Sequence, residues 1–380
     1  MNHVYLITFE PAGRYYFGTS QSFADSFYAR SSLLPTQTML LGCLRYTILK
    51  QKNLLDKEMR YPKSIDEVQT LTGEAKMTSI SDTVESGNYF GIIKKISPVF
   101  VCRQPKGQLF PQNFYFPVPF DVIYIRDNNR RDETGNKEII GVERILFEKV
   151  TNYFSVRKRT KEYTADLYGG NLFWKNYIDG INLNLTDTFK KEKIFTEDSH
   201  PGIRRYDGRK TEESAYYIKK DFRLKKEFSL GIIVHCSQEF PLNESEEDVY
   251  LGGERSLFRM KLTKIDDKNI GVLNAHIIIK GFLDENYYGD YDGSKQFNDA
   301  GSKGIVFLSP FFGKGKIRTF EHSVINHIYS PRILQFRGGK TNTFNVIPDG
   351  SVLYLNNKLP ATDIFNIPKL IGYNYAIKFN

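Results

Sequence analysis

The sequence predicts an α+β fold in which a strand, a helix and further strands occur twice along one chain. Three observations predict it. Val4–Phe9 is a nearly continuous apolar run, and Thr36–Gln51 follows with Leu40, Leu41, Leu44 and Ile48 at helical spacing. From His200 onward, short runs rich in β-branched and aromatic residues alternate with turn residues. The C-terminal part then repeats the outline. Gly304–Leu308 reads as a buried strand, Glu321–Tyr329 as a helix stopping before Pro331, and Arg332–Arg337, Val352–Leu355 and Tyr375–Phe379 as strands. Strand, helix, strands is the ferredoxin-like (RRM-like) outline. The expected division is a first domain at 1–265, with an inserted β-hairpin and irregular insertions, and a second at 266–380. No repeat is visible residue by residue.

Each element has a local reason. Pro35 opens the helix, since a missing N–H is no loss in a first turn. Gly42 lies near the side opposite the apolar stripe, where glycine costs about 1 kcal/mol against alanine. Either a strand packs tightly there or another group approaches the backbone; packing is the preferred reading. Tyr89–Cys102 reads as one strand, and Phe110–Asp121, rich in proline and aromatics, as extended chain or loop. Asp127–Lys137 is a polar hairpin tip or loop. The rest of 140–195 reads as further helix or hairpin without assigned bounds. Ile203–Tyr206 and Ala215–Phe222 flank a turn at Asp207-Gly208, and Lys225-Lys226-Glu227 leads into Phe228–Cys236 as a central strand. The acidic Glu244–Asp248 starts a short helix. Tyr250-Leu251-Gly252-Gly253-Glu254-Arg255-Ser256 then precedes the alternating strand Leu257–Leu262.

Composition narrows the function. The 380 residues carry a formal net charge of +9, with 40% hydrophobic and 14% aromatic residues, so real cores coexist with a basic, ring-rich surface suited to nucleic acid. Most of the rings belong to the cores. Cys43, Cys102 and Cys236 have neither metal-binding spacing nor a disulfide framework, so a reducing, cytoplasmic setting is expected. Glu10 interrupts the N-terminus before any long apolar run, which argues against a signal peptide. No stretch reaches the roughly 18 apolar residues that span a bilayer, so no membrane is expected.

Enzyme signatures fail in detail. Gly338-Gly339-Lys340-Thr341 resembles a P-loop end, but Leu334 holds the upstream glycine position. Gly313-Lys314-Gly315 meets Arg318 where a dinucleotide fingerprint needs glycine. The six histidines are scattered, and His235 beside Cys236 reads as a strand residue, neighbours there facing opposite ways. Neither a catalytic constellation, a metal nor another cofactor is expected.

Binding chemistry is better represented. Paired glycines adopt φ > 0 and expose N–H groups to a close ligand, and Arg255 and Arg259 stand beside them. The hairpin carries Arg204, Arg205, Arg209, Lys210, Lys219, Lys220, Arg223, Lys225 and Lys226, interleaved with Tyr206, Tyr216 and Tyr217. Cations that follow a backbone and rings that stack on bases suit single-stranded RNA. Its carboxylates, Asp207, Glu212, Glu213, Asp221 and Glu227, also allow a solvated ribbon of mixed charge. The run Arg157-Lys158-Arg159-Thr160-Lys161 is more simply a solvated face.

Several motifs stand in a telling order. They are Ile7-Thr8-Phe9-Glu10-Pro11, Tyr15-Tyr16-Phe17-Gly18, Leu34-Pro35-Thr36-Gln37-Thr38 and Leu41-Gly42-Cys43-Leu44-Arg45. His200-Pro201-Gly202-Ile203, Ser214-Ala215-Tyr216-Tyr217, the glycine pair and Ile347-Pro348-Asp349-Gly350-Ser351-Val352-Leu353-Tyr354 follow. In that order and spacing the chain resembles the third subunit of the Cmr complex, a RAMP protein of type III-B CRISPR effectors. The stretches 52–90 and 130–195 match least. The resemblance implies two ferredoxin-like RAMP folds and a non-catalytic role. It implies as partners the 5′ handle of a CRISPR RNA, a large polymerase-like subunit and a backbone RAMP subunit, with no direct DNA contact. It adds Gly42, Arg45 and Gly202 to Arg204, Arg205, Arg209, Lys219, Lys220, Arg223, Gly252, Gly253 and Arg255 as expected RNA contacts. Arg45 has two other readings, snorkelling past the core or pairing with a carboxylate. The alternatives are a RAMP endoribonuclease that processes precursor RNA, a handle-binding subunit of a type III-D or III-A complex, or a structural adaptor without RNA contact.

Overall fold

The computed structural model describes residues 3–18, 28–56, 64–74, 88–105, 108, 110–133, 135–145, 147–150, 153–156, 166–205, 211–242, 245–252, 254–283, 304–310, 325–329, 334–338, 342–346, 349–355, 372–373 and 375–379. The chain begins with β1 (His3–Pro11), β2 (Tyr28–Arg30), α1 (Gln37–Gln51) and α2 (Ile65–Thr72). Next come β3 (Ile93–Ile96), β4 (Phe100–Arg103), β5 (Asn113–Pro117), β6 (Val122–Arg131) and β7 (Lys137–Arg144). Short elements follow: β8 (Phe147–Val150), β9 (Tyr153–Val156), β10 (Leu167–Gly169), α3 (Asn171–Ile178), β11 (Thr188–Lys190) and α4 (Lys191–Ile194). Then come β12 (Phe195–Arg205), β13 (Thr211–Leu224), β14 (Phe228–Cys236), β15 (Glu246–Leu251) and β16 (Ser256–Lys264). The chain continues through α5 (Asp267–Asn274), α6 (Ile277–Leu283), β17 (Gly304–Phe307) and β18 (Ile325–Tyr329). It closes with β19 (Leu334–Gly338), β20 (Asn342–Val346), β21 (Val352–Leu355) and β22 (Ala376–Phe379). The architecture is α+β, mostly antiparallel sheet with few helices.

Contacts divide the chain into two compact units. One comprises Met1–Pro111, Glu192–Asp266 and Gln335–Thr343, the other Gln112–Lys191, Asp267–Leu334 and Phe344–Asn380. Each unit is thus built from three separate stretches, with 112–191 in the second unit and 335–343 in the first.

In the first unit β1 is central, antiparallel to β14 on one side and to β16 on the other. β4 pairs with β14, and β15 with β16. The run β4-β14-β1-β16 is a ferredoxin-like ladder, in which both neighbours of β1 run opposite to it. Ile7, Phe9, Leu230, Ile232, Phe258 and Met260 are buried in it. Leu40, Leu44 and Ile48 on α1 are fully buried, each contributing about 2 kcal/mol by area. Where α1 meets β15, Lys50 and Gln51 both donate to the Glu247 carboxylate, at 2.5 and 2.7 Å.

Four expectations are corrected here. Glu244–Asp248 does not start a helix: β15 occupies Glu246–Leu251, so a strand fills the crossover between β14 and β16. Its alternating pattern, with Val249 and Leu251 buried and Tyr250 exposed, outweighs the acidic start. Tyr89–Cys102 is two strands, because Pro98 lacks a donor; Ser97 bridges the gap, its N–H donating to the Ile233 carbonyl and its Oγ accepting from the Ile233 N–H, both at 2.9 Å. The helix starts one residue later than expected, with Thr36 as its cap and Pro35 outside it. Glu321–Tyr329 is not a helix, since Ile325–Tyr329 forms β18 against β21; β-branched and aromatic residues carry that segment.

In the second unit β18-β21-β17-β22 form an antiparallel sheet, and β10 pairs antiparallel with β11 and with β5. β6 and β7 form a hairpin whose tip spans the expected polar turn. Among the described residues no helix is long and apolar enough to cross a membrane.

Candidate nucleic-acid interface

The long hairpin β12–β13 sets Lys219, Asp221 and Arg223 on one face, because alternate strand residues share a side. Register places His200 opposite Lys219 and Asp198 opposite Asp221. The N-terminal loop joins this face where Tyr15 and Phe222 exchange backbone hydrogen bonds of 2.8 and 3.1 Å. That bridge delivers Arg14 and Tyr16. Arg14 Nε lies 3.2 Å from Asp198, and its guanidinium also meets the His200 ring. Arg223 Nε donates to Asp198 at 2.6 Å, and this hydrogen bond holds the Asp198 carboxyl below the usual range.

Lys219 is the junction. Its Nζ lies 2.6 Å from Glu254, 3.6 Å from Asp221 and 4.5 Å from the centre of the Tyr16 ring. Partial burial works against its charge, but the Glu254 hydrogen bond and the Asp221 carboxylate outweigh this and raise its pKa. Lys220 points the other way and pairs with Glu197.

The glycine turn approaches the same point. Leu251 and Ser256 close the β15–β16 hairpin, and the Arg255 N–H donates to the Gly252 carbonyl at 3.1 Å. Gly252 has φ +81°, and a Cβ there would stand 2.9 Å from the Tyr16 carbonyl oxygen. The chain itself therefore requires glycine at 252. The Tyr16 N–H donates to Ser256 Oγ at 3.0 Å, clamping turn to loop. Arg255 adopts φ +53°, uncommon for a residue with a side chain. Its guanidinium lies 5.7 Å from the Tyr250 ring centre, and Tyr250 is 58% exposed. Among the described residues no carboxylate pairs with Arg255.

Lys219 and Gly252 thus come together at Tyr16, whereas Arg255, next to the Ser256 that clamps Tyr16, turns its guanidinium to the Tyr250 ring. Lys220 does not join them, and Arg223 stands farther along the face at Asp198. Gly202 and Arg205 sit in β12 by backbone position, opposite Tyr217 and Thr211, with a register irregularity between 203 and 205 that contains Arg204. Arg209, Gly253 and the basic run 157–161 lie outside the described residues. Gly42 is exposed and a Cβ there meets nothing within 4 Å, which corrects the packing reading. Arg45 turns inward, 5.4 Å over the Phe90 ring, and donates to the Tyr89 carbonyl at 3.4 Å; burial lowers its pKa to about 10. Arg14, Tyr16, Asp198, His200 and Glu254 are additions that sequence reasoning missed as contributors. Tyr16, His200 and Glu254 lie in motifs that the sequence singled out, whereas nothing in the sequence signalled Arg14 or Asp198.

Two other histidines are core groups. Burial, aided by Lys95, lowers His235 to about 4, and burial lowers His276 to about 3. Among the described residues no cluster of His, Cys, Asp and Glu could hold a metal.

The model of the CRISPR-associated protein family Cas_Cmr3 matches residues 7–276, which include α1, the long hairpin and the glycine turn. The chain belongs to that family. It is a CRISPR-associated protein. Among curated proteins none matches this sequence. Two structures of the Type III-B Cmr-beta bound to cognate target RNA, one also with AMPPnP, align over 92% of this chain and 86% of theirs at 12% identity, with TM-scores of 0.41 and 0.42. The Csm3–Csm4 subcomplex in the type III-A CRISPR-Cas interference complex aligns over 99% of both chains at 9% identity and a TM-score of 0.40.

Proposed function

We propose that this chain is a non-catalytic RNA-binding subunit of a type III-B effector, holding the 5′ handle of a CRISPR RNA. In this reading it bridges the large polymerase-like subunit to the backbone RAMP subunit. The observation that carries the reading is the family match across the unit containing both the glycine turn and the basic hairpin. A short single strand is recognised through phosphate contacts, stacking and 2′-OH hydrogen bonds. Arg255, beside the exposed ring of Tyr250, suits that chemistry. The exposed open backbone at Gly42 leaves room for a partner.

Co-expression with neighbouring genes, followed by purification through a tag on this chain, tests the assignment. The expected particle contains one copy of the chain, a large subunit, backbone subunits and CRISPR RNA, and the isolated chain leaves repeat RNA intact. Repeat-RNA cleavage abolished by a point mutation in this chain would establish the endoribonuclease reading. A homo-oligomer free of RNA would overturn the assembly role.

A further inference from the structure

We infer that Glu254 occupies the seat of one RNA backbone phosphate, and that RNA binds by displacing this carboxylate from Lys219. The inference rests on the RNA-binding reading above and identifies a contact within it. Glu254 belongs to the glycine turn and is half exposed, yet its carboxylate reaches across to the hairpin and meets Lys219 at 2.6 Å. The ammonium is held from below by the Tyr16 ring at 4.5 Å and from the side by Asp221 at 3.6 Å. Three features make the seat suitable for an exchangeable oxyanion.

The ammonium is fixed by the ring and by Asp221, so it stays in place when Glu254 leaves. Glu254 sits on a turn, so it can swing into water without disturbing a ladder. Arg255, the next residue, adds a guanidinium that no described carboxylate neutralises. Lys219 and Arg255 thus border the turn with two positive charges, and Glu254 quenches one of them in the free protein. A phosphate that takes the place of Glu254 gains the Lys219 ammonium as a charge-assisted contact, with Arg255 the next residue along the turn. Tyr16 is then a positioning residue that acts through Lys219, and Glu254 sets the affinity.

Displacement predicts that removing the competitor strengthens binding. Full-length protein is titrated with a single-stranded RNA carrying the repeat-derived 5′ segment, by fluorescence anisotropy across a salt series. Glu254→Gln is expected to bind about two- to fivefold tighter, the range of an exposed ion pair. Lys219→Gln is expected to bind more weakly and to lower the salt slope by about 0.7, one phosphate contact on a single strand. In the double variant Lys219→Gln/Glu254→Gln the gain from Glu254→Gln disappears. Unchanged or weaker binding by Glu254→Gln, with an unchanged melting temperature, overturns the inference, as does a gain that persists without Lys219. Wild-type protein without salt-dependent affinity for this RNA overturns the functional reading instead, and this inference falls with it.

Discussion

Two ion-pair systems in this chain use the same chemistry to opposite ends. In the second unit Asp121 is fully buried. It accepts from the Tyr177 hydroxyl at 3.0 Å and faces Arg144 Nε at 3.6 Å. The Arg144 guanidinium is stacked 3.9 Å from the Tyr177 ring centre and 4.4 Å from that of Phe379. On the hairpin face of the first unit, Arg14, Asp198, Arg223, Lys219 and Glu254 are all at least partly open to water. A buried charge that loses its partner is stranded in low dielectric, whereas an exposed one is rescued by solvent. The buried pair locks a fold; the exposed lattice can exchange partners at little cost. The hairpin, read from sequence as either a cationic track or a ribbon of mixed charge, is in its described part a surface of paired charges.

The sharpest way to break that contrast is at Asp121. Asp121→Ala should destabilise the protein by about 3–5 kcal/mol, the cost of stranding a buried partner, while Arg223→Ala should cost at most about 1 kcal/mol. Denaturant melts of the two variants compare them directly, and equal losses would erase the distinction between lock and lattice.

A smaller effect separates the two glycines. Gly252→Val forces φ +81° on a β-branched residue and presses a Cβ on the Tyr16 carbonyl, so a loss of about 2–3 kcal/mol is expected. Gly42→Ala meets nothing and should gain up to about 1 kcal/mol of helix stability. Gly42→Leu should fold normally and assemble or bind RNA less well. A Gly42→Leu variant with intact assembly and RNA binding would show that nothing approaches that backbone.

The smallest effect is a pH dependence on the exposed lattice. Asp198 has its folded pKa depressed below the ordinary 3.8 by Arg223, then Arg14 and His200. A depressed acid contributes stability that is present above the unfolded pKa and lost as pH falls through the folded one. Stability measured from pH 5 down to pH 2 should therefore fall more steeply for wild type than for Asp198→Asn. Parallel curves would mean that Asp198 is indifferent to its cations.

Much of the first unit was legible in the sequence. The apolar run of β1, the stripe of α1 and the central strand β14 declare themselves by burial pattern, because local periodicity and burial coincide there. Their mutual order is ferredoxin-like, as the strand–helix–strand outline implies. The errors arose where a local signal competed with a partner. An acidic start suggested a helix at β15, but pairing with β16 and burial of Val249 and Leu251 against the core decide for a strand. Ile325–Tyr329 becomes β18 because β21 lies beside it.

By itself, then, the sequence determined the elements whose residues carry their own periodicity, the glycine turn between β15 and β16, and the family. Tertiary structure alone decided which charges meet. Arg14 and Asp198, Tyr16 and Lys219, and Lys219 and Glu254 are far apart along the chain or lie on separate hairpins. Composition counts their charges but cannot pair them. Coulomb attraction and ring contact act over a few ångströms, so the function of each cation is set by the neighbour that folding brings to it.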